Sequence, residues 1–214
     1  MIKAVIFDLD NTLYDERLYF LKVFKRFCIN HSVDFNQIHC VFTDELRRYS
    51  EDIFGDVLKK IDYYSIGRQN ELFDLYKSID CRLSLYDEAY EIIRHLKSQK
   101  MQIAIITNGV VEAQKNKINA LGIQSEINHI IYARGYGKEY EKPNSMAFLM
   151  AIDALKVDVA DAIYIGDHPD TDIKGAKGVG LKALRFINEY TSNLECNNCD
   201  NIRSLVEIKK YLSE

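Results

Sequence analysis

The sequence predicts an α/β fold, a parallel sheet with helices on both faces, interrupted once by an inserted helical segment. Two observations carry this. Short continuous apolar runs alternate with amphipathic helical stretches through residues 85–214, the pattern of strands joined by crossover helices. Residues 15–84 show helical spacing throughout and no strong strand signal. The expected division is therefore a core made of 1–14 and 85–214 with a helical insertion at 15–84.

Each element has its own warrant. IKAVIFDLD at the N-terminus is a continuous apolar run, partly β-branched, and reads as a strand buried on both faces. In the insertion Leu18, Leu21, Phe24 and Phe27 make one apolar face. Ile38, Val41, Phe42 and Tyr49 make a second, and Leu72, Leu75, Tyr76 and Ile79 a third. YDEAYEIIRHLKSQK then reads as a helix and MQIAIITNG as the second strand. VVEAQKNKINALG is a helix closed by Gly122, and INHIIYA is the third strand. NSMAFLMAIDALKV is a helix starting just after Pro143, and DAIYIGD is the fourth strand. DTDIKGAKG is a short helix leading to a fifth strand, LKALRFI.

Composition removes several classes of function. The 214 residues are 47% hydrophobic and 28% charged, as in an ordinary globular protein. A net charge of −4 gives no electrostatic reason to expect a nucleic-acid partner. No apolar stretch is long enough to span a membrane. Lys3 interrupts the start and acids end the first apolar run, so no leader peptide is expected. The five scattered cysteines fit a reducing, cytoplasmic setting. Cys196 and Cys199 have C-x-x-C spacing, but without a second ligand pair or a strand-to-helix junction they read as two loop thiols.

In parallel sheets ligands bind outside the carboxyl ends of the strands. Here those ends gather chemistry: Asp8, Asp10 and Thr12 after the first strand, and Thr107 and Asn108 after the second. Lys142 follows the third strand, and Gly166 and Asp167 end the fourth, with Asp172 close behind. Each alone is common in turns and helix caps. Together on one edge they describe a site. Several carboxylates in one cleft call for a cation, and all-oxygen ligation suits Mg²⁺, whose further ligands are commonly phosphate oxygens. Thr107 and Lys142 offer a hydroxyl and a positive charge to a phosphoryl group. One Asp can attack phosphorus, and a carboxylate two residues on can move protons.

DLDNTL, TNG, EKP and GDHPDTD resemble, in order, the four motifs of the haloacid dehalogenase superfamily. The resemblance implies a Rossmann-like core and reads the helical insertion as a C1-type cap that closes over the site. It implies Asp8 as nucleophile and Asp10 as general acid and base. Mg²⁺ would be held by Asp8, the main-chain carbonyl of Asp10 and Asp167, with Asp172 nearby. Thr107, Asn108 and Lys142 would bind the phosphoryl group. The second Asp resembles the phosphatase and nucleotidase members, since a dehalogenase has no alkoxide to protonate. The expected activity is hydrolysis of a small phosphorylated metabolite, a sugar phosphate or nucleotide monophosphate, through an aspartyl-phosphate. The alternatives are a phosphomutase of the same superfamily and a phospho-aspartate signalling module. ARGYGKEYEKP, with Arg134 and Gly135-Tyr136-Gly137, departs from the usual Ser-Glu opening of that loop.

Other features have plainer readings. No Gly-Lys-Ser/Thr occurs, so there is no Walker A loop. The G-x-G-x-x-A run from Gly178 follows a helix and opens a strand, the reverse of a dinucleotide fingerprint, and reads as a turn. His168 either touches substrate or is a loop residue set by Pro169. Most of the tyrosines in the insertion should pack helix on helix, while Tyr14 and Tyr19 stand near enough to the first-strand loop to meet a leaving group.

Overall fold

The computed structural model describes residues 1–196 and 199–212. It opens with β1 (Ala4–Phe7), followed by α1 (Glu16–His31), α2 (Phe35–Val41), α3 (Asp44–Tyr49), α4 (Ile53–Lys60) and α5 (Ile66–Ser78). Then come α6 (Asp87–Ser98), β2 (Gln102–Thr107), α7 (Val111–Leu121), β3 (His129–Tyr132) and α8 (Ser145–Leu155). β4 (Ala162–Gly166), α9 (Lys174–Gly178), β5 (Lys182–Phe186) and β6 (Asp200–Ile202) complete the chain. Two units separate: Met1–Asp15 with Ser84–Glu214, and Glu16–Leu83.

The first unit is built on β1, whose four residues are fully buried as a two-sided apolar strand must be. It pairs in parallel with β2 on one side and β4 on the other, and the whole sheet runs β3-β2-β1-β4-β5-β6, every pairing parallel. This is the doubly wound order, and the topological switch lies at β1. Phe7 is in register with Ile105 and Ile165, so the next residues of three strands emerge side by side. One face, with Ala4, Ile6, Ala104, Ile106 and Tyr164, shares a core with Phe148 and Ala151 of α8 and Ala176 of α9. The alternate residues Val5, Phe7, Ile103, Ile105, Ile163 and Ile165 point the other way and are equally buried. α6 packs against β2 and buries Ala89, Ile92, Ile93 and Leu96.

A sixth strand was not anticipated. β6 is only Asp-Asn-Ile, and of its residues Ile202 alone is buried. Such a polar edge strand carries no apolar run to announce it. Cys196 and Cys199, expected as separate loop thiols, are joined in a disulfide, with their Cα atoms 5.8 Å apart. Asn197 and Asn198 between them lie outside the described residues.

The second unit is wholly helical. Asp34, Thr43, Asp52 and Ser65 each accept a main-chain N–H at a helix start, which is why the segment breaks into several helices. Phe20 of α1 stacks among Phe24, Phe42, Phe54 and Tyr76 with ring centroids 5.2–6.4 Å away. The buried stripe of α1 is Tyr19, Val23, Phe24, Phe27 and Cys28 rather than the spacing by threes expected. A step of three drifts around a helix of 3.6 residues per turn, and it carries Leu18 out to 42% exposure. Tyr49, expected on an apolar face, is 73% exposed at the end of α3. Tyr19 is buried and donates to the carbonyl of Tyr76, so it belongs to the interior of this unit.

Phe148 is the joint between α8 and the sheet: it is fully buried, meets Tyr164 edge-on at 5.1 Å, and fills the space that the missing side chain of Gly175 leaves. Phe148→Ala should cost about 3–5 kcal/mol of unfolding free energy. Urea denaturation followed by circular dichroism checks this, and a loss below ~1 kcal/mol would contradict the packing described.

Candidate active site

After Phe7 the strand ends, and the Asp8 main-chain N–H donates to the carbonyl of Ile165, 2.8 Å away, which carries the chain to the switch point before it turns. Asn11 makes that turn with φ 58°, a conformation Asn tolerates. The side chains of Asp8, Thr12, Thr107, Lys142, Asp167 and Asp172 are all buried.

Lys142 stands at the centre of one group. Its ammonium lies within hydrogen-bonding distance of Asp8 Oδ1, of Asp172 Oδ1 at 2.7 Å, and of the Tyr164 hydroxyl and the Ile106 carbonyl, each at 3.2 Å, to share among three N–H groups. Tyr164 in turn donates to Asp172 Oδ1 at 2.7 Å, and the other oxygen of Asp172 accepts the His168 N–H at 3.0 Å. Thr12 donates to Asp8 Oδ2 at 3.3 Å. Asp167 accepts from Asn188 at 3.2 Å, and its carbonyl accepts from Arg185 at 3.2 Å. Gly166 makes the approach of Asp172 feasible: a Cβ there would lie 2.5 Å from the Asp172 carboxyl carbon.

Asp8, Asp167 and Asp172 bring one oxygen each within 4.8 Å of one another. Burial pushes the Asp8 carboxyl up to about 7 although Lys142 opposes it, and Asp172 and Asp10 add to the rise. Burial, then Asp172 and Asp8, hold Asp167 well above the ordinary carboxylate range. Burial pulls the Lys142 ammonium down, but Asp172 and Asp8 outweigh it and leave its proton bound more tightly than usual. If all three ionised, the carboxylates would outnumber this one ammonium by two in a buried space. An all-oxygen set with that imbalance fits a hard divalent cation such as Mg²⁺.

Asp10 lies apart from that group. Its carboxylate accepts from the Tyr14 hydroxyl at 2.6 Å, from Gln114 at 2.7 Å, and from Lys117 at 2.9 and 3.0 Å to its two oxygens. Burial raises its pKa, but the Lys117 charge and these hydrogen bonds prevail and bring it below the ordinary value.

The remaining predicted residues occupy definite places. Thr107 is buried at the end of β2, its hydroxyl 3.3 Å from the Asn108 carbonyl that accepts it. The Asn108 carboxamide is turned to the main chain of Lys142, accepting its N–H at 2.9 Å and donating to its carbonyl at 3.1 Å. The loop 133–141 is closed by Arg134, which grips both oxygens of Glu141 at 2.9 Å, while Glu141 also accepts the Gly109 N–H at 2.5 Å. His168 accepts the N–H groups of Asp170 and Thr171 through Nδ1, capping the turn that follows, so the loop reading holds for it. Tyr14 holds Asp10 and is itself fully buried.

Tyr164, Gln114, Lys117, Asn188 and Arg185 were not anticipated. Tyr164 had a signal, a lone hydroxyl in an otherwise apolar strand. Gln114 and Lys117 also had one, being polar residues three apart beside the buried Ala113 and Ile118 of α7. For Asn188 and Arg185 nothing in the local sequence marks them.

Residues 5–186 match the model of the haloacid dehalogenase-like hydrolases. The chain belongs to that family. Among its relatives, the glyceraldehyde 3-phosphate phosphatase of Methanocaldococcus jannaschii is 24% identical over 232 residues, the whole of both chains. The N-acylneuraminate-9-phosphatase of Mus musculus is 29% identical over 211 residues, covering 88% of this chain and 83% of that one. The crystal structure of the HAD-hydrolase YfnB from Bacillus subtilis, bound to magnesium, superposes with a TM-score of 0.73 at 20% identity, covering 100% of this chain and 99% of that one. Membership of this hydrolase family and the six-stranded Rossmann-like sheet agree with the resemblance read from the motifs. Among the described residues no helix is long and apolar enough to cross a membrane.

The acid cluster has a consequence for pH. Because the folded-state pKa of Asp8 is raised, the native state holds its proton between the ordinary value of 3.8 and about 7. Stability therefore falls as pH rises through that window, and a bound cation offsets the loss by stabilising the ionised form. Added MgCl₂ should raise the melting temperature more at pH 8 than at pH 5.5. Equal shifts at the two pH values would contradict the cluster as a cation site.

Proposed function

We propose that the protein is a Mg²⁺-dependent phosphatase of small phosphorylated metabolites, sugar phosphates or nucleotide monophosphates, working through an aspartyl-phosphate on Asp8. The observation that carries this is the different company kept by two carboxylates two residues apart. Asp8 lies with Lys142, Asp167 and Asp172, whereas Asp10 is held away from them by Tyr14, Gln114 and Lys117. One is placed as a nucleophile beside cations, the other apart from them as a proton acceptor that Lys117, Tyr14 and Gln114 hold ionised. The two phosphatases named above as relatives support the same reading.

Mg²⁺, held by Asp8, the carbonyl of Asp10 and Asp167 with Asp172 alongside, would neutralise the acids and draw charge from the phosphoryl oxygens. Lys142 and Thr12 fix the plane of the Asp8 carboxylate, and a carboxylate oxygen of Asp8 attacks phosphorus. The ester P–O bond breaks, its electron pair goes to the leaving oxygen, and Asp10, which must first take up a proton, supplies the one that oxygen needs. Asp10, now ionised, takes a proton from water as that water attacks the phosphorus of the aspartyl-phosphate. Inorganic phosphate leaves and Asp8 is restored. The Thr107 hydroxyl and Lys142 bind the transferring group, while Asn108 serves by fixing the main chain of Lys142. The helical unit Glu16–Leu83 we take to be the cap of the family.

Release of inorganic phosphate in the presence of MgCl₂ tests this across sugar phosphates, nucleotides, O-phosphoserine and p-nitrophenyl phosphate. Turnover of at least one class is expected, dependent on Mg²⁺ and abolished in Asp8→Asn. Inactivity across the whole panel, or activity surviving in Asp8→Asn, would overturn the assignment.

A further inference from the structure

Lys117 is the residue that the established family motifs do not account for. It projects from α7, its side chain is fully buried, and its ammonium reaches both oxygens of Asp10 at 2.9 and 3.0 Å. Gln114, one helical turn earlier on the same face, donates to Asp10 Oδ2 at 2.7 Å and to the Asn108 carbonyl at 2.5 Å. Tyr14 completes the set from the loop after β1, at 2.6 Å from Oδ1. A lysine buried in this way is costly, and a buried ion pair is weak support for stability compared with apolar side chains of similar size. A purpose other than stability is indicated, and the geometry identifies it. Asp8, Asp167 and Asp172 gather within 4.8 Å, while the carboxylate of Asp10, only two residues from Asp8, is not among them. In a cleft with four acids, a cation at the first three would draw in the fourth unless something held it back.

We propose that Lys117, with Gln114 and Tyr14, is a positioning clamp that keeps the Asp10 carboxylate out of the cation cluster, where it can take up and pass on protons. The clamp rests on the phosphatase reading above and adds to it three residues acting through Asp10. α7 begins four residues after Thr107, so the same β2–α7 junction that presents the phosphoryl-binding hydroxyl also sets the position of the proton-transfer group.

The two half-reactions use Asp10 differently, and this separates a positioning role from a merely structural one. Breaking an alkyl phosphate ester needs a proton on the leaving oxygen, while p-nitrophenolate leaves without one. Hydrolysis of the aspartyl-phosphate needs Asp10 whatever the substrate. In Lys117→Met, kcat/KM should fall about 100-fold for an alkyl phosphate, the size of a lost general acid. The alkyl phosphate is whichever of glyceraldehyde 3-phosphate, ribose 5-phosphate and O-phosphoserine the wild type cleaves best. With p-nitrophenyl phosphate kcat/KM should stay within about threefold, while kcat falls and a burst of nitrophenolate, one per enzyme, precedes the slowed steady state. Tyr14→Phe, which keeps the ring, should show the same split to a smaller degree, and it decides the matter if Lys117→Met does not fold. Equal losses for both kinds of substrate, or wild-type values for both, would overturn the clamp. Absence of Mg²⁺-dependent turnover in the wild type would instead overturn the phosphatase reading on which it rests.

Discussion

The structure turns on a problem of charge: four carboxylates, Asp8, Asp10, Asp167 and Asp172, meet at the open edge of a sheet whose central strands are buried and mostly apolar. Burying one unpaired carboxylate costs several kcal/mol, and the cost grows when like charges share a cavity. The chain divides the acids between two lysines. Lys142 takes Asp8 and Asp172, and Lys117 takes Asp10. The first group has three carboxyls to one ammonium, so ionising them calls for a divalent cation.

Many neighbouring details serve this division. Lys142 is placed through its own main chain, which the Asn108 carboxamide holds at both ends, and the loop leading to it is closed by Arg134 on Glu141. Tyr164 places its hydroxyl between Lys142 and Asp172, and burial together with those acids keeps its proton in place. Gly166 lets Asp172 come close, and the parallel register of β1, β2 and β4 brings the contributing segments side by side. Chemistry of this kind needs rigid support, and the site is mounted on the best-buried strands of the fold.

Much of this is legible before any coordinates exist, and the reason is physical. A strand buried on both faces reads as an uninterrupted apolar run, so β1, β2, β4 and β5 and the polar residues just beyond them stand out. Asp8, Asp10, Thr107, Lys142, Asp167 and Asp172 are all visible as polar endings of apolar runs or as punctuation before helices. What is hidden depends on three-dimensional proximity. β6 has no apolar run, Arg185 within β5 and Asn188 just beyond it reach the site, and the partner of Lys117 is not evident until the fold brings it to Asp10. Asn108 was visible, but its partner was not. In the helical unit the aromatic content signalled packing, yet the choice of face on α1 followed the true helical repeat and left Leu18 outside.

In the proposed reaction Asp8 becomes covalently phosphorylated while Asp10 only moves protons. Rapid quenching during turnover, reduction with borohydride and peptide mapping by mass spectrometry would read this directly, because an aspartyl-phosphate is reduced to homoserine. Homoserine is expected at position 8 and at no other Asp, in proportion to the enzyme caught in turnover. Phosphate release proceeding with Asp8 unmodified, or the mark falling on Asp10, Asp167 or Asp172, would contradict it.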